Sequence, residues 1–132
     1  TMQNPEKAIA MMDLLREKGY QIVFMGVSVD VGTAASRNLG RYYNTARLPH
    51  RQAMVRSHRV FNENAEKYLE FADAGIIIDN SAASPMTVAT KNREGGDIEI
   101  VDPILYNMLI ERGNINEQAN TIRQLRETGV VP

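Results

Sequence analysis

The segment that most constrains the fold runs from Gln21 to Val29 (Gln-Ile-Val-Phe-Met-Gly-Val-Ser-Val), nearly continuous in apolar residues. A strand with one wet face alternates apolar and polar side chains. An unbroken run instead predicts a strand buried on both faces, as in parallel sheets. Gly75-Ile-Ile-Ile-Asp79 predicts a second short buried strand. Helical patterns flank them. Asn4-Pro5 opens a helix with Ala8, Ile9, Met12 and Leu15 on one stripe, and Lys18-Gly19 ends it. Gly32, Gly40 and the β-branched and Asn positions weaken the next segment, so a short helix is expected around Thr33–Leu39, then a mobile excursion from Gly40 to Leu48. Pro49 predicts the start of a long helix to about Phe71, with Met54, His58, Phe61, Ala65, Leu69 and Ala72 on one stripe. Asn80 to Pro85 reads as a loop. Met86–Thr90 and Ile98–Val101 predict an antiparallel pair across the Asn92–Gly96 turn. Asp102-Pro103 caps a helix through Arg112 that stops at Gly113, and Asn114 or Asn116 caps a last helix that stops at Gly129. The order predicts part of a layered α/β fold with an appended β-hairpin and C-terminal helices.

A chain of 132 residues is long enough for a single domain. No run approaches the length of a membrane span, and the first residues lack the order of a secretion signal. With no cysteine, disulfide scaffolds, thiolate metal sites and cysteine catalysis are excluded, and the cytoplasm is the default compartment. The net charge of −1 argues against a polyanion partner only as an average. Between Asp30 and Glu63 there is no acid, while Arg37, Arg41, Arg47, Arg51, Arg56 and Arg59 all fall there with His50 and His58. Every strong base in that stretch is arginine, whose planar fork matches phosphate oxygens in pairs. Either these arginines pair with acids elsewhere in the fold, or they form a site for phosphate, nucleotide or nucleic acid.

The familiar phosphate loop G-x-x-x-x-G-K-[ST] is absent, as are G-x-G-x-x-G and H-E-x-x-H. Gly26-Val-Ser28-Val-Asp30 falls short of a nucleophile elbow because Asp30 stands where the second glycine belongs. His50 and His58 are about two helical turns apart, too far to share a metal, and His58 falls on the apolar stripe as a core histidine. Asp30 and Asp79 each stand at the C-terminal end of a predicted strand, the edge where open α/β sheets collect ligands. Asp30 reads as a helix cap. For Asp79 with Asn80, turn chemistry and ligand contact stand as alternatives. Tyr42 and Tyr43 lie among the arginines, placed to stack on a base or to anchor the excursion.

Val27-Ser-Val29, Arg37, the Arg41-to-Pro49 stretch, Ser57-His58-Arg59 and above all Phe71-Ala-Asp-Ala-Gly-Ile-Ile-Ile-Asp-Asn-Ser81 together resemble the zeta-toxin-like kinases. Ser84-Pro85, Gly95-Gly96 and Ile100-Val-Asp-Pro103 are similar to that family's tail, so the resemblance spans about residues 20 to 112. It implies a P-loop kinase in which ATP with magnesium phosphorylates a hydroxyl of a nucleotide sugar, typically UDP-N-acetylglucosamine, and in which an antitoxin can be a partner. The family's phosphate loop and catalytic carboxylate have no matching segment here, so the chain resembles the C-terminal portion of such an enzyme. The implied fold is a partial three-layer P-loop-kinase-like α/β fold with parallel strands, an arginine-rich lid over about 31–49 and a hairpin over about 86–101. Arg37 matches the lid arginine that reaches ATP phosphates; Arg47, with Arg41 as competitor, matches the second; Asn80 and Ser81 fall beside the adenine. The chain alone is expected to be inactive as a kinase and, with a strand edge exposed, to self-associate. The alternative is a non-catalytic phosphate or nucleic-acid binding module that uses the Arg37–Arg59 surface.

Overall fold

The computed structural model describes residues 2–47 and 50–127. Its elements are α1 (Pro5–Glu17), β1 (Val23–Ser28), α2 (Val31–Thr45), α3 (Arg51–Phe71), β2 (Ala74–Asp79), β3 (Met86–Lys91), β4 (Glu99–Ile100), α4 (Pro103–Gly113) and α5 (Glu117–Glu127). The helix starts follow from capping chemistry. Asn4 Oδ1 accepts from the Lys7 N–H, Asp30 from Thr33, Asp102 from Ile104 and Leu105, and Asn116 from Ala119. Each cap satisfies amides that the first helical turn leaves open. Gly19 takes a left-handed φ of 85° and closes α1 through its N–H to the Arg16 carbonyl.

The strands form one mixed sheet in the order β1-β2-β3-β4. β1 and β2 are parallel, joined by a crossover through α2 and α3, and β2–β3 and β3–β4 are antiparallel. Phe24 faces Gly75 across the parallel pair, and a Cβ on Gly75 would lie 2.3 Å from the Phe24 carbonyl oxygen. Glycine there lets the strands close. α3 lies across β1, β2 and β3, flanked by α1, α4 and α5. The core gathers Met12, Phe24, Tyr68, Leu69, Ile77, Val88 and Leu109 between α3 and the sheet, with the Phe24 and Tyr68 rings 5.7 Å apart.

The N-terminal edge of the sheet is locked by charge. Asp73 accepts from the Ile22 N–H at 2.6 Å and from Arg16 Nε at 3.1 Å. Lys91, buried, donates to the Glu70 and Ala72 carbonyls at 2.6 and 2.7 Å, and Arg16 also donates to the Phe71 carbonyl. Cations thereby close the C-terminal end of α3, where the open carbonyls and the helix dipole favour them.

Two expectations are corrected. β1 is buried on one face only: Phe24, Gly26 and Ser28 point into the core while Val23, Met25 and Val27 are 67%, 68% and 49% exposed. All of its side chains but Ser28 are apolar or absent, so the sequence lacks the alternation that would have marked the difference. The expected short helix over Thr33–Leu39 is instead a continuous helix through Thr45, with Gly40 inside it. The excursion expected from Gly40 therefore starts as helix; Leu48, at its end, lies outside the described residues, as do Pro49, expected to open α3, and Gly129, expected to end α5. Among the described residues no helix is long and apolar enough to cross a membrane.

Candidate functional site

The C-terminal ends of β1 and β2 meet in a buried polar cluster. Ser28, the last residue of β1, donates its hydroxyl hydrogen to Asn62 Oδ1 of α3 and accepts from Arg112 Nη1 at 2.8 Å. The same Nη1 donates to Asp79 Oδ2, at the end of β2, at 2.7 Å, and Nη2 donates to Ser81 Oγ at 3.3 Å. Ser81 Oγ also accepts from the Asp30 N–H at 2.9 Å, and the Ser81 N–H returns to Asp79 Oδ1 at 3.0 Å. The Asn80 N–H donates to the Ser28 carbonyl at 2.8 Å, which ties the loop after β2 to β1.

Electrostatics follow from that packing. Burial pushes the Asp79 carboxyl up, but the Ser81 N–H and the Arg112 guanidinium outweigh it and hold it below the usual carboxylate range. Asp30 is shifted the same way: burial raises it, and the Thr33 hydroxyl and N–H, the Ser81 hydroxyl and Arg112 bring it lower. His58 is pushed down to about 4, chiefly by burial and then by Arg112, with Asp30 opposing. It is a neutral imidazole at neutral pH, and its buried Nε2 has no partner. It borders a cavity of about 400 Å³ between β1 and α3, lined also by Phe24, Met25, Val27 and Phe61. The expectation of a core histidine is met only in part: Nε2 is buried, but His58 as a whole is half-buried at the cavity wall and outside the core cluster.

From this edge α2 departs, started by the Asp30 cap. Val31 and Ala35 are its buried residues, and from Gly40 to Arg47 every side chain or backbone position is exposed. Arg37 and Arg41, four residues apart and so on one face, are exposed, as is Arg47, which follows the α2 cap Ala46. Among the described residues none of these arginines is in an ion pair. The other arginines of the acid-free stretch behave differently. Arg59 binds Glu117 at 2.6 Å and Glu63 at 2.5 Å, Arg56 meets Glu117 at 3.4 Å, and Arg51 is buried with an unpartnered Nη1. The basic stretch thus divides into Arg56 and Arg59 of α3, compensated by acids, a buried Arg51, and the exposed Arg37, Arg41 and Arg47 on and just after α2, which are in no ion pair among the described residues.

The structure does not bring the arginines of α2 together with Asn80 and Ser81 through any hydrogen bond among the described residues; what links them is the Asp30–Ser81 contact at the base of α2. The Ser81 hydroxyl is engaged by Arg112 and Asp30. Asp73, within the most distinctive stretch of the resemblance, lies at the opposite end of the strands, where it joins the start of β1 and Arg16 of α1 just after the C-terminal end of α3. Sequence reasoning missed Arg112 and Asn62. Arg112 reads as an ordinary cation in the last turn of α4, and no local spacing ties it to Asp79. No cluster of candidate metal ligands occurs among the described residues.

A parallel strand pair with a long helical crossover and a polar C-terminal edge, within a mixed four-stranded sheet, makes this an α/β protein whose fold is consistent with the P-loop class. The zeta toxin family model matches residues 1–93, and the chain belongs to the zeta toxin family. No curated protein and no solved structure matches the chain. The family match ends before β4, α4 and α5, so Arg112 and Glu117 lie beyond it.

Proposed function

We propose that this chain supplies the lid and the base-side edge of an ATP-dependent kinase that phosphorylates a hydroxyl of a nucleotide sugar such as UDP-N-acetylglucosamine. In this reading Arg37 and Arg47, with Arg41 as competitor for the second place, approach the transferred phosphoryl group, and Asn80 and Ser81 border the adenine. Phosphoryl transfer spreads negative charge over the transferred group, and catalysis is mainly positioning and electrostatic stabilisation. Arginines without local acids, on a helix that leaves the C-terminal sheet edge, can add charge and exclude water when the helix closes. The observation that carries the reading is that Arg37, Arg41 and Arg47 are the exposed, unpaired part of the basic stretch, while Arg56 and Arg59 are already neutralised. Magnesium-bound ATP is the cofactor the reading implies. The 132 residues contain no phosphate-loop motif, so the chain alone is expected to bind a triphosphate weakly and not to turn it over. An antitoxin partner and a cytoplasmic location belong to the same proposal.

A second reading, a nucleic-acid binding module, draws on Tyr42 and Tyr43, exposed on α2 beside Arg41 with ring centroids 5.9 Å apart. Exposed aromatics among arginines are what base stacking on a single strand uses.

Heteronuclear NMR titrations with magnesium-ATP, inorganic triphosphate, adenosine and a short RNA separate the readings. The kinase reading expects both triphosphates to shift amides of 31–47, adenosine-bearing ligands alone to shift 80–81, and Arg37→Ala to weaken the triphosphate response about tenfold or more. RNA binding with a steep salt slope and no preference for triphosphate would overturn it in favour of the second reading.

A further inference from the structure

Arg112 is in no motif of the resemblance and lies outside the matched segment, yet its guanidinium reaches more of the site's framework than any other side chain described. It is 8% exposed at the side chain, and Asp79 opposite it is 6% exposed. One nitrogen holds the last residues of β1 and β2 together through Ser28 and Asp79, and the other holds Ser81. Ser81 in turn accepts the N–H of Asp30, the cap from which α2 begins. The chain of contacts Arg112–Ser81–Asp30 therefore ends at the root of α2. Beyond that root α2 is held by its buried Val31 and Ala35 and by Asn38, whose amide donates to Met54 Sδ of α3 at 2.9 Å. The approach of α4 that makes this reach possible depends on its last residue. A Cβ on Gly113 would lie 2.8 Å from Glu63 Cα and 2.9 Å from Glu63 N, so the bare glycine lets the end of α4 close onto α3.

We infer that Arg112 is a positioning residue for α2: through Ser81 and Asp30 it sets the direction in which the arginine-bearing helix leaves the sheet. A planar fork suits this role because it spans acceptors on separate elements at once, which a lysine ammonium at the same site cannot match in geometry. The role of α2 as a lid rests on the function proposed above; the anchoring of its root by Arg112 does not. The segment beyond the family match, α4, thereby acts on the segment within it.

Backbone hydrogen exchange on the whole chain tests the inference without any nucleotide. Ser81→Ala cuts the relay to Asp30 and leaves the Arg112–Asp79 pair intact, and Arg112→Lys keeps the charge and loses the fork. Both variants should speed exchange across the amides of α2 by about tenfold, the worth of one hydrogen bond; in Ser81→Ala those of β1, β2 and the middle of α3 keep their wild-type rates, and in Arg112→Lys any further rise is confined to the strand ends at Ser28 and Asp79 that the fork also held. A purely structural role would raise exchange in all elements together, and that outcome, or an unchanged α2 in both variants, overturns the proposal. Should Arg112→Lys fail to fold, Ser81→Ala alone decides. Absence of triphosphate binding by the wild-type chain would instead count against the function proposed above, so the two failures are told apart.

Discussion

His58 shows what the polar cluster costs the protein in acid. Its imidazole is held down to about 4 first by burial and then by Arg112, while Asp30 pulls the other way. An unfolded histidine takes its proton near 6.5, so between those values the unfolded chain binds a proton that the folded chain refuses. The folded value is depressed, and the stability present at neutral pH is lost as pH falls from about 6.5 toward 4. By linkage the loss amounts to at most about 2 kcal/mol between roughly pH 7 and pH 5. Urea unfolding at the two pH values should show that difference in the wild type and a markedly smaller one in His58→Gln. Asp30, Asp79, Asp73 and Glu117 are likewise held below their ordinary values, but for a carboxyl the lowered value favours the charged form. Their stabilisation is present above the ordinary carboxylate range and fades only at lower pH, so the His58 contribution has the window near pH 5 to 6 largely to itself. Equal slopes in the wild type and His58→Gln through that window would refute this account.

At the level of elements, α2 is the segment on which sequence and structure differ most. Gly40 argues for a helix end, yet the helix runs on to Thr45, with nothing within 4 Å of where a Cβ on Gly40 would stand. Glycine in an exposed helix interior costs about 0.5–1 kcal/mol relative to alanine. Gly40→Ala should therefore add about that much local stability to the second half of α2, seen as slower exchange of its amides, without changing the rest of the chain. Faster exchange there would mean that the glycine is needed for a non-helical conformation. Other elements were readable because their signals are local. Asn4, Asp102 and Asn116 sit immediately before their helices and do there what such residues do anywhere. The single buried face of β1 was not readable, because Val23, Met25 and Val27 are as apolar as the residues between them. Which face is covered is decided by α3, which arrives from far along the chain. Of the site, the edge position of Asp30 and Asp79 was legible from strand ends. Arg112 was not, because a pair separated by 33 residues leaves no periodic mark.

For the whole molecule, the position of β1 has a physical consequence. It is the outermost strand on its side of the sheet, so its far edge carries no strand partner among the described residues. Its uncovered face presents Val23, Met25 and Val27, each about half or more exposed. Protein strand edges are usually blunted by charge, proline, a bulge or a covering element, and β1 itself has no charged residue and no proline. An open backbone edge beside an apolar face is a template for pairing with another chain. The isolated chain is therefore expected to self-associate through β1. Light scattering should give a mass above that of the monomer, rising with concentration, and Met25→Lys should return it to the monomer by placing a charge on the exposed face without touching the core. Because Met25 points away from Phe24 and Tyr68, its substitution should leave the unfolding midpoint nearly unchanged, which separates lost association from lost folding. A wild-type chain that stays monomeric at high concentration would show instead that the twist of the sheet or the cavity-side residues of α3 protect the edge. In that case the apolar character of Val23, Met25 and Val27 would need a covering partner other than a second copy.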